Sequence, residues 1–160
     1  MEESEGKSLE PLKLGKILQI GVVVENLEEA IEFYTEHFGL GPWKTRVSEH
    51  LPYAIVKGEK TPYTCKLAIA DMPPLKFELI EVTKGPSIQL DFLESKGEGV
   101  HHLQYHVDNL EEEISNYEKH GFKVLQEMRR PEIGFAYMGT DKVGGIIFEL
   151  VGPSPSLEES

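Results

Sequence analysis

The chain has 160 residues, 39% of them hydrophobic, a formal net charge of −12 and a single cysteine. That length fits one domain with a substantial core, and the acidic balance argues against nucleic acid as a partner. No apolar run reaches the roughly 18 residues of a membrane span, no basic-then-apolar leader opens the chain, and the lone Cys65 excludes an internal disulfide, so the expected setting is the cytoplasm.

Residues 1–13 are charged and without periodicity and are read as a loose tail, followed by one domain over 14–152. A short alternating strand is expected over Ile17–Val24. Asn26 then stands as an N-cap with Glu29 three residues on, a capping-box pattern, before a helix carrying Leu27, Ile31 and Tyr34 on one stripe. Gly39 suits the left-handed residue that ends such a helix. Strands are expected over Trp43–Val47, Tyr63–Ala70 and Lys76–Val82. Cys65 falls in an apolar alternating stretch and reads as a buried structural thiol. A connecting helix, capped by Ser87, is expected within 86–99. The pattern then returns in module two, 100–152: a strand over His102–Val107, an Asn109-capped helix with Leu110, Ile114 and Tyr117, Gly121 at its end, and strands over Lys123–Met128, Gly134–Met138 and Gly145–Val151. Pro153–Ser160 is rich in Pro, Ser and Glu and reads as a disordered tail. The glutamates of the two capped helices are solvated faces and favourable first-turn charges.

The stretch 19–37 is in effect written again at 102–120. Asn26/Asn109, Leu27/Leu110, Ile31/Ile114, Tyr34/Tyr117 and His37/His120 coincide without a gap, and Phe77-Glu78-Leu79 is echoed by Phe148-Glu149-Leu150. Each half, module one being 14–85, is thus β-α-β-β-β, giving an α+β fold of two paired modules related by a pseudo-twofold axis, with a curved mixed sheet around a central site. Polar residues at equivalent positions can meet across that axis: Gln19 with His102, and Glu78 with Glu149. A carboxylate inside an apolar strand is costly unless a cation, metal or strong donor meets it. Successive strand residues point opposite ways, so only one of His101 and His102 can reach a central site, and the repeat selects His102. His106 lies about 13 Å further along the strand, too far for the same ion. It is either a hydrogen-bonded core residue or a substrate contact deeper in the pocket. Gln19, Glu78, His102 and Glu149 offer three oxygens and one nitrogen, a set suited to one divalent ion among Co, Mn, Ni, Zn, Fe and Mg.

Three stretches, Ser87–His102, His102–Asp108 and Gly144–Leu150, are similar to those of methylmalonyl-CoA epimerases within the vicinal oxygen chelate, or glyoxalase-fold, superfamily, and the likeness runs over roughly 15–152. The resemblance implies the glyoxalase-like fold, metal ligands at His102 and Glu149, Glu78 at a Gln-or-Glu position, and a homodimer. Gln19 stands where the family usually has His. The family's extra glutamate base corresponds to the region of about 57–64, where Glu59 is the one carboxylate. The implied reaction is proton transfer next to a carbonyl, of an acyl-CoA thioester or another keto compound, with Glu149 or Glu78 as base and Arg129, Arg130 and Lys142 as phosphate contacts. A glyoxalase-type lyase needs the same residues. A ring-cleaving dioxygenase is disfavoured, because one His and two Glu do not make the two-His set. A metal-free, resistance-type binding module would instead use Trp43, Tyr53, Phe135 and Tyr137.

Overall fold

The computed structural model describes residues 8–159. In chain order they form β1 (Gln19–Val23), α1 (Leu27–Phe38), β2 (Lys44–Val56), β3 (Glu59–Met72), β4 (Leu75–Lys84), α2 (Ile88–Lys96), β5 (Gly99–His106), α3 (Leu110–Lys119), β6 (Val124–Met128), β7 (Gly134–Met138) and β8 (Ile147–Gly152). Each half is β-α-β-β-β. The caps lie where the sequence puts them: Asn26, Ser87 and Asn109 accept from the backbone N–H groups of Glu29, Leu90 and Glu112, and Gly39 ends α1 with φ 65°. Among the described residues no helix is long and apolar enough to cross a membrane.

The sheet is curved enough to close. Its strands run β1-β4-β3-β2-β6-β7-β8-β5 and back to β1, so the two modules make a barrel rather than an open sheet. The seams are β1 with β5 and the short pairing of Ile55 and Val56 with Glu127 and Gln126. Closure depends on β2 and β3 being far longer than expected. They continue to a two-residue turn, Lys57-Gly58, whose φ values of 51° and 82° are both positive, as a type I′ hairpin requires. Pro52 and the loss of alternation after His50 hide the far half of β2, where the register itself shifts between His50 and Ala54.

The pseudo-twofold is visible in the register. In module one β1 pairs in parallel with β4, setting Gly21 against Glu78; in module two β5 pairs in parallel with β8, setting Gln104 against Glu149. Helices cover the outside. Leu27, Ile31 and Tyr34 of α1 pack with Val22, Phe77 and Leu79, while Leu110, Ile114 and Tyr117 of α3 pack with Tyr105, Met138 and Leu150. Because side chains alternate along a strand, the residues between these apolar ones, Glu78 and Glu149 among them, face the barrel interior. Gln126, wholly buried, locks α2 to the barrel: its Oε1 accepts from Ile88 N at 2.9 Å, and its Nε2 donates to Gln89 Oε1 at 2.9 Å and Tyr63 Oη at 3.0 Å.

Both ends differ from the expectation. Residues 1–7 of the N-terminal tail lie outside the described residues; beyond them Leu12 and Ile17 pack on the α3 cluster, and Glu10 O accepts from His120 Nε2 at 2.8 Å. At the C-terminus a 3-10 turn spans Pro155–Glu159. Pro153 O accepts from Leu110 N at 2.8 Å, satisfying a donor that the first turn of α3 leaves free, and Ser154 N donates to Arg130 O. Composition does not reveal such backbone partnerships.

Candidate active site

The barrel interior holds a cavity of about 310 Å³ whose wall includes Gln19, Glu78 and Glu149. All three are buried polar side chains, 6%, 6% and 5% exposed. His102 lies beneath the two carboxylates with its side chain sealed from solvent, its Nε2 3.0 Å from Glu149 Oε2 and 3.5 Å from Glu78 Oε1. These are ion-pair distances without hydrogen-bond alignment, so Nε2 has no hydrogen-bond partner. Burial pulls the imidazole pKa down, but the charge of Glu149 and then Glu78 outweighs it and raises the pKa to about 9.

Room for His102 comes from Gly21. A Cβ there would lie under 3.0 Å from Cε1, Nε2 and Nδ1 of the ring. The two cross-axis pairs, Gln19 with Gln104 and His102 with Gly21, are mates under the repeat, yet only the second combines a ring with no side chain. Gly21→Ala is therefore expected to displace the imidazole or push β1 away. Its melting temperature should fall by about 5 °C, the effect of overpacking by about 2 kcal/mol in a domain of this size. An unchanged melting curve would show that the ring has another place to go.

Gln104, on the strand face shared by 102, 104 and 106, donates from Nε2 to Glu149 Oε2 at 3.0 Å. Its repeat mate is Gly21, so Glu78 has no such amide. Glu149 is held more firmly than Glu78. His101 does not simply point away from the site. The β1–β5 register moves from Gly21/His102 to Val22/Val100, leaving His101 as an extra residue in a bulge, and its Nδ1 meets His102 Nδ1 at 2.9 Å. Its ring is set edge-on to Phe92 and Tyr137. Burial first, then the neighbouring His102, lowers its pKa to about 3. His101 is thus a neutral partner that orients the His102 ring.

The expected substrate contacts divide. Arg130 and His106 line the cavity, and His106 is exposed there, which corrects its core reading. Arg129 is exposed, outside the cavity, and donates from Nε to Glu127 Oε2 at 3.0 Å; Lys142 is exposed and does not line it. Glu59 is exposed at the far end of β3 and also stands outside. The inward wall of β3 is Tyr63, Cys65, Leu67 and Ile69 instead. Burial and the charge of Glu78 push the Cys65 thiol up to about 12, so it is no thiolate nucleophile. Of the four aromatics considered for a binding module, only Phe135 and Tyr137 reach the cavity; Trp43 packs against Phe77, and Tyr53 lies under Lys60. Arg46, within the strand expected over Trp43–Val47, also lines the cavity, while Ser48 and His50, on the part of β2 beyond that strand, were not foreseen.

Among the described residues no group of three or more His, Cys, Asp or Glu side chains is drawn up ready to hold a metal ion. The donors nevertheless fit one chemically. Separations of 3.0 and 3.5 Å from Nε2 match neighbouring ligands on an ion with bonds of about 2.1 Å, and the buried Nε2 lacks a hydrogen-bond partner.

Comparison with known proteins agrees with this architecture. No curated protein matches the sequence. Solved structures do. The methylmalonyl-CoA epimerase of Mycobacterium tuberculosis is similar at a TM-score of 0.59 and 21% identity, over 90% of this chain and 91% of that one. A hypothetical protein from Bacillus halodurans is similar at 0.60 and 21%, over 85% and 92%. A Streptomyces coelicolor methylmalonyl-CoA epimerase variant in complex with 2-nitronate-propionyl-CoA is similar at 0.60 and 22%, over 87% and 97%. At such identities the likeness shows the fold. The family model described as the glyoxalase/bleomycin resistance protein/dioxygenase superfamily matches residues 18–137, and the chain belongs to that superfamily.

Proposed function

We propose that this chain is a metal-dependent isomerase of the epimerase kind, moving a proton on the carbon next to a carbonyl, with an acyl-CoA thioester as substrate. The observation that carries this reading is the pair of buried carboxylates, Glu78 and Glu149, at twofold-related positions beside one imidazole in one cavity. The structural neighbours that are methylmalonyl-CoA epimerases, one in complex with methylmalonyl-CoA and one with 2-nitronate-propionyl-CoA, support the substrate class.

Gln19, Glu78, His102 and Glu149 would hold the ion, one of Co, Mn, Ni, Zn, Fe or Mg, which when bound supplies a Lewis acid for the carbonyl oxygen and offsets the charge that develops there. Everything else falls to the chain. Gln104 and His102 fix Glu149 as the anchored carboxylate, while Glu78, without an amide partner and further from Nε2, is the freer base. The C–H bond breaks toward a carboxylate, the electron pair passes to the enolate, and a proton returns to the same or the opposite face. The acyl end of the thioester would enter the cavity, and Arg129 and Lys142, exposed outside it, would meet the phosphates of the carrier. The family expectation of a homodimer belongs to the same proposal.

The test is α-proton exchange from methylmalonyl-CoA in deuterated water, followed by NMR. Exchange by metal-loaded protein that stops with a chelator supports the reading. Loaded protein that leaves the proton in place sinks it, and a glyoxalase-type lyase on a small keto–thiol adduct becomes the better reading.

A further inference from the structure

A row of side chains across module two carries hydrogen-bond donors that neither the carboxylates nor His102 use. Gln126 pairs with Tyr137 on β6–β7, and Tyr137 with Glu149 on β7–β8, so the row ends at the anchored carboxylate. Chemistry fixes the polarity of the Gln126 amide. Ile88 N–H can only donate, so the amide atom facing it at 2.9 Å is the oxygen. The nitrogen therefore faces Gln89 Oε1 at 2.9 Å and Tyr63 Oη at 3.0 Å, and both its protons are used there. Gln89 has given its oxygen to that nitrogen, which leaves its own Nε2 as a donor. Tyr63 has accepted, which leaves its O–H proton.

Among the described residues neither of these donors meets an acceptor, and the Tyr137 hydroxyl has no hydrogen-bond partner. Gln89, Tyr63 and Tyr137 all line the cavity and are only 3%, 3% and 6% exposed. The unpartnered polar atoms sealed from solvent are those of His50, His101, His102 and Ser154; Gln89 Nε2 and Tyr137 Oη, unpartnered but not sealed, open on the cavity. Both phenols keep their protons. Burial first, then Cys65, pushes the Tyr63 hydroxyl up, with Glu149 adding to the effect; burial first, then Glu149, does so for Tyr137. Three nearly buried donors without acceptors are satisfied when a ligand brings an oxygen.

We propose that Gln89, Tyr63 and Tyr137 form an uncharged subsite that donates hydrogen bonds to one oxygen of the substrate beside Glu149, and so selects a carbonyl compound over its counterpart without that oxygen. Glu149 stands next to the carbon that loses its proton, and the three donors hold the oxygen on which the negative charge gathers. The subsite deepens the proton-transfer reading and rests on it for the carbonyl. A carbonyl oxygen has two lone pairs, so these contacts and a metal ion do not exclude each other.

The experiment compares propionyl-CoA with S-propyl-CoA, a thioether that has a methylene in place of the carbonyl, by calorimetry on full-length protein kept metal-free with a chelator. The thioester is expected to bind about 10-fold more tightly, the worth of one or two satisfied donors. Tyr63→Phe and Tyr137→Phe should each reduce that preference. Gln89→Glu keeps the oxygen that meets Gln126 but turns the donor into an acceptor, and should abolish it. Tyr34→Phe, in the outer cluster of α1, should leave it intact. A preference between two ligands, unlike affinity itself, is not moved by a general loss of stability, and circular dichroism checks that the variants fold. Equal affinity for the two compounds in the unaltered protein, or a preference kept in Gln89→Glu and in both Phe variants, overturns the subsite. If neither compound binds below about 1 mM, the acyl-CoA reading falls and the subsite with it. A preference for the thioester without α-proton exchange in metal-loaded protein leaves the subsite standing and removes only the isomerase reading.

Discussion

His102→Ala should abolish stoichiometric divalent-metal binding, from about one ion per chain to none. The imidazole is the sole nitrogen donor in the group and the point on which both carboxylates converge, at 3.0 and 3.5 Å. Removing it leaves two buried carboxylates facing each other without a cation, so the variant should also lose stability, by about 3–5 kcal/mol as for breaking a buried ion pair. Metal analysis after gel filtration reads the first effect, and denaturant unfolding the second. His101→Ala separates ligation from support. It leaves Nε2 in place but removes the ring that meets His102 Nδ1 at 2.9 Å, and such outer partners are worth about 10–100-fold in affinity. Retained metal with weakened binding is the expected result. Total loss in His101→Ala, with metal kept in His102→Ala, would exchange the roles of the two histidines. Metal uptake should also release a proton, because His102, with its pKa raised to about 9, is protonated at neutral pH in the metal-free protein.

The second large effect is expected from Glu149→Gln. Glu149 is the carboxylate that the site holds on two sides, by Gln104 Nε2 at 3.0 Å and His102 Nε2 at 3.0 Å. An amide there turns one attractive contact into donor facing donor and removes the charge that keeps His102 protonated. The α-proton exchange rate of metal-loaded enzyme should drop by about 10²–10⁴-fold, the usual worth of a positioned acid or base. Gln104→Ala should fall by a smaller factor and in the same direction, since it loosens Glu149 without neutralising it. If Glu149→Gln exchanges at the wild-type rate, Glu149 neither transfers the proton nor orients the group that does.

Much of this site was legible because the chain repeats. Pairing Phe77-Glu78-Leu79 with Phe148-Glu149-Leu150 singles out the two carboxylates that meet His102, and the registers Gly21–Glu78 and Gln104–Glu149 show the same twofold, while Gln19 lines the same cavity opposite Gln104. What the repeat could not give is where its two copies differ. Gly21 and Gln104 are mates, yet one makes space for a ring and the other grips a carboxylate. The alternation argument sends His101 to the opposite face; it does stay off the cavity wall, but a bulge, which alternation cannot report, turns its ring against His102. His50 escaped notice because it lies past the strand expected over Trp43–Val47, in the part of β2 that carries Pro52 and shifts register. The tail after Gly152 looked disordered because its anchors are backbone groups, Pro153 O and Ser154 N, which no side-chain pattern reports.

The proposed epimerisation is most directly served by two carboxylates, Glu78 and Glu149, acting on one carbon from opposite faces, and Glu78→Gln tests that. The measurement is α-deuterium incorporation, in deuterated water, into each enantiomer of methylmalonyl-CoA separately. With metal loaded, the variant should lose exchange from one enantiomer by about 10²-fold or more while keeping that from the other within a few-fold. Equal loss from both enantiomers, or wild-type exchange from both, would contradict a two-base site.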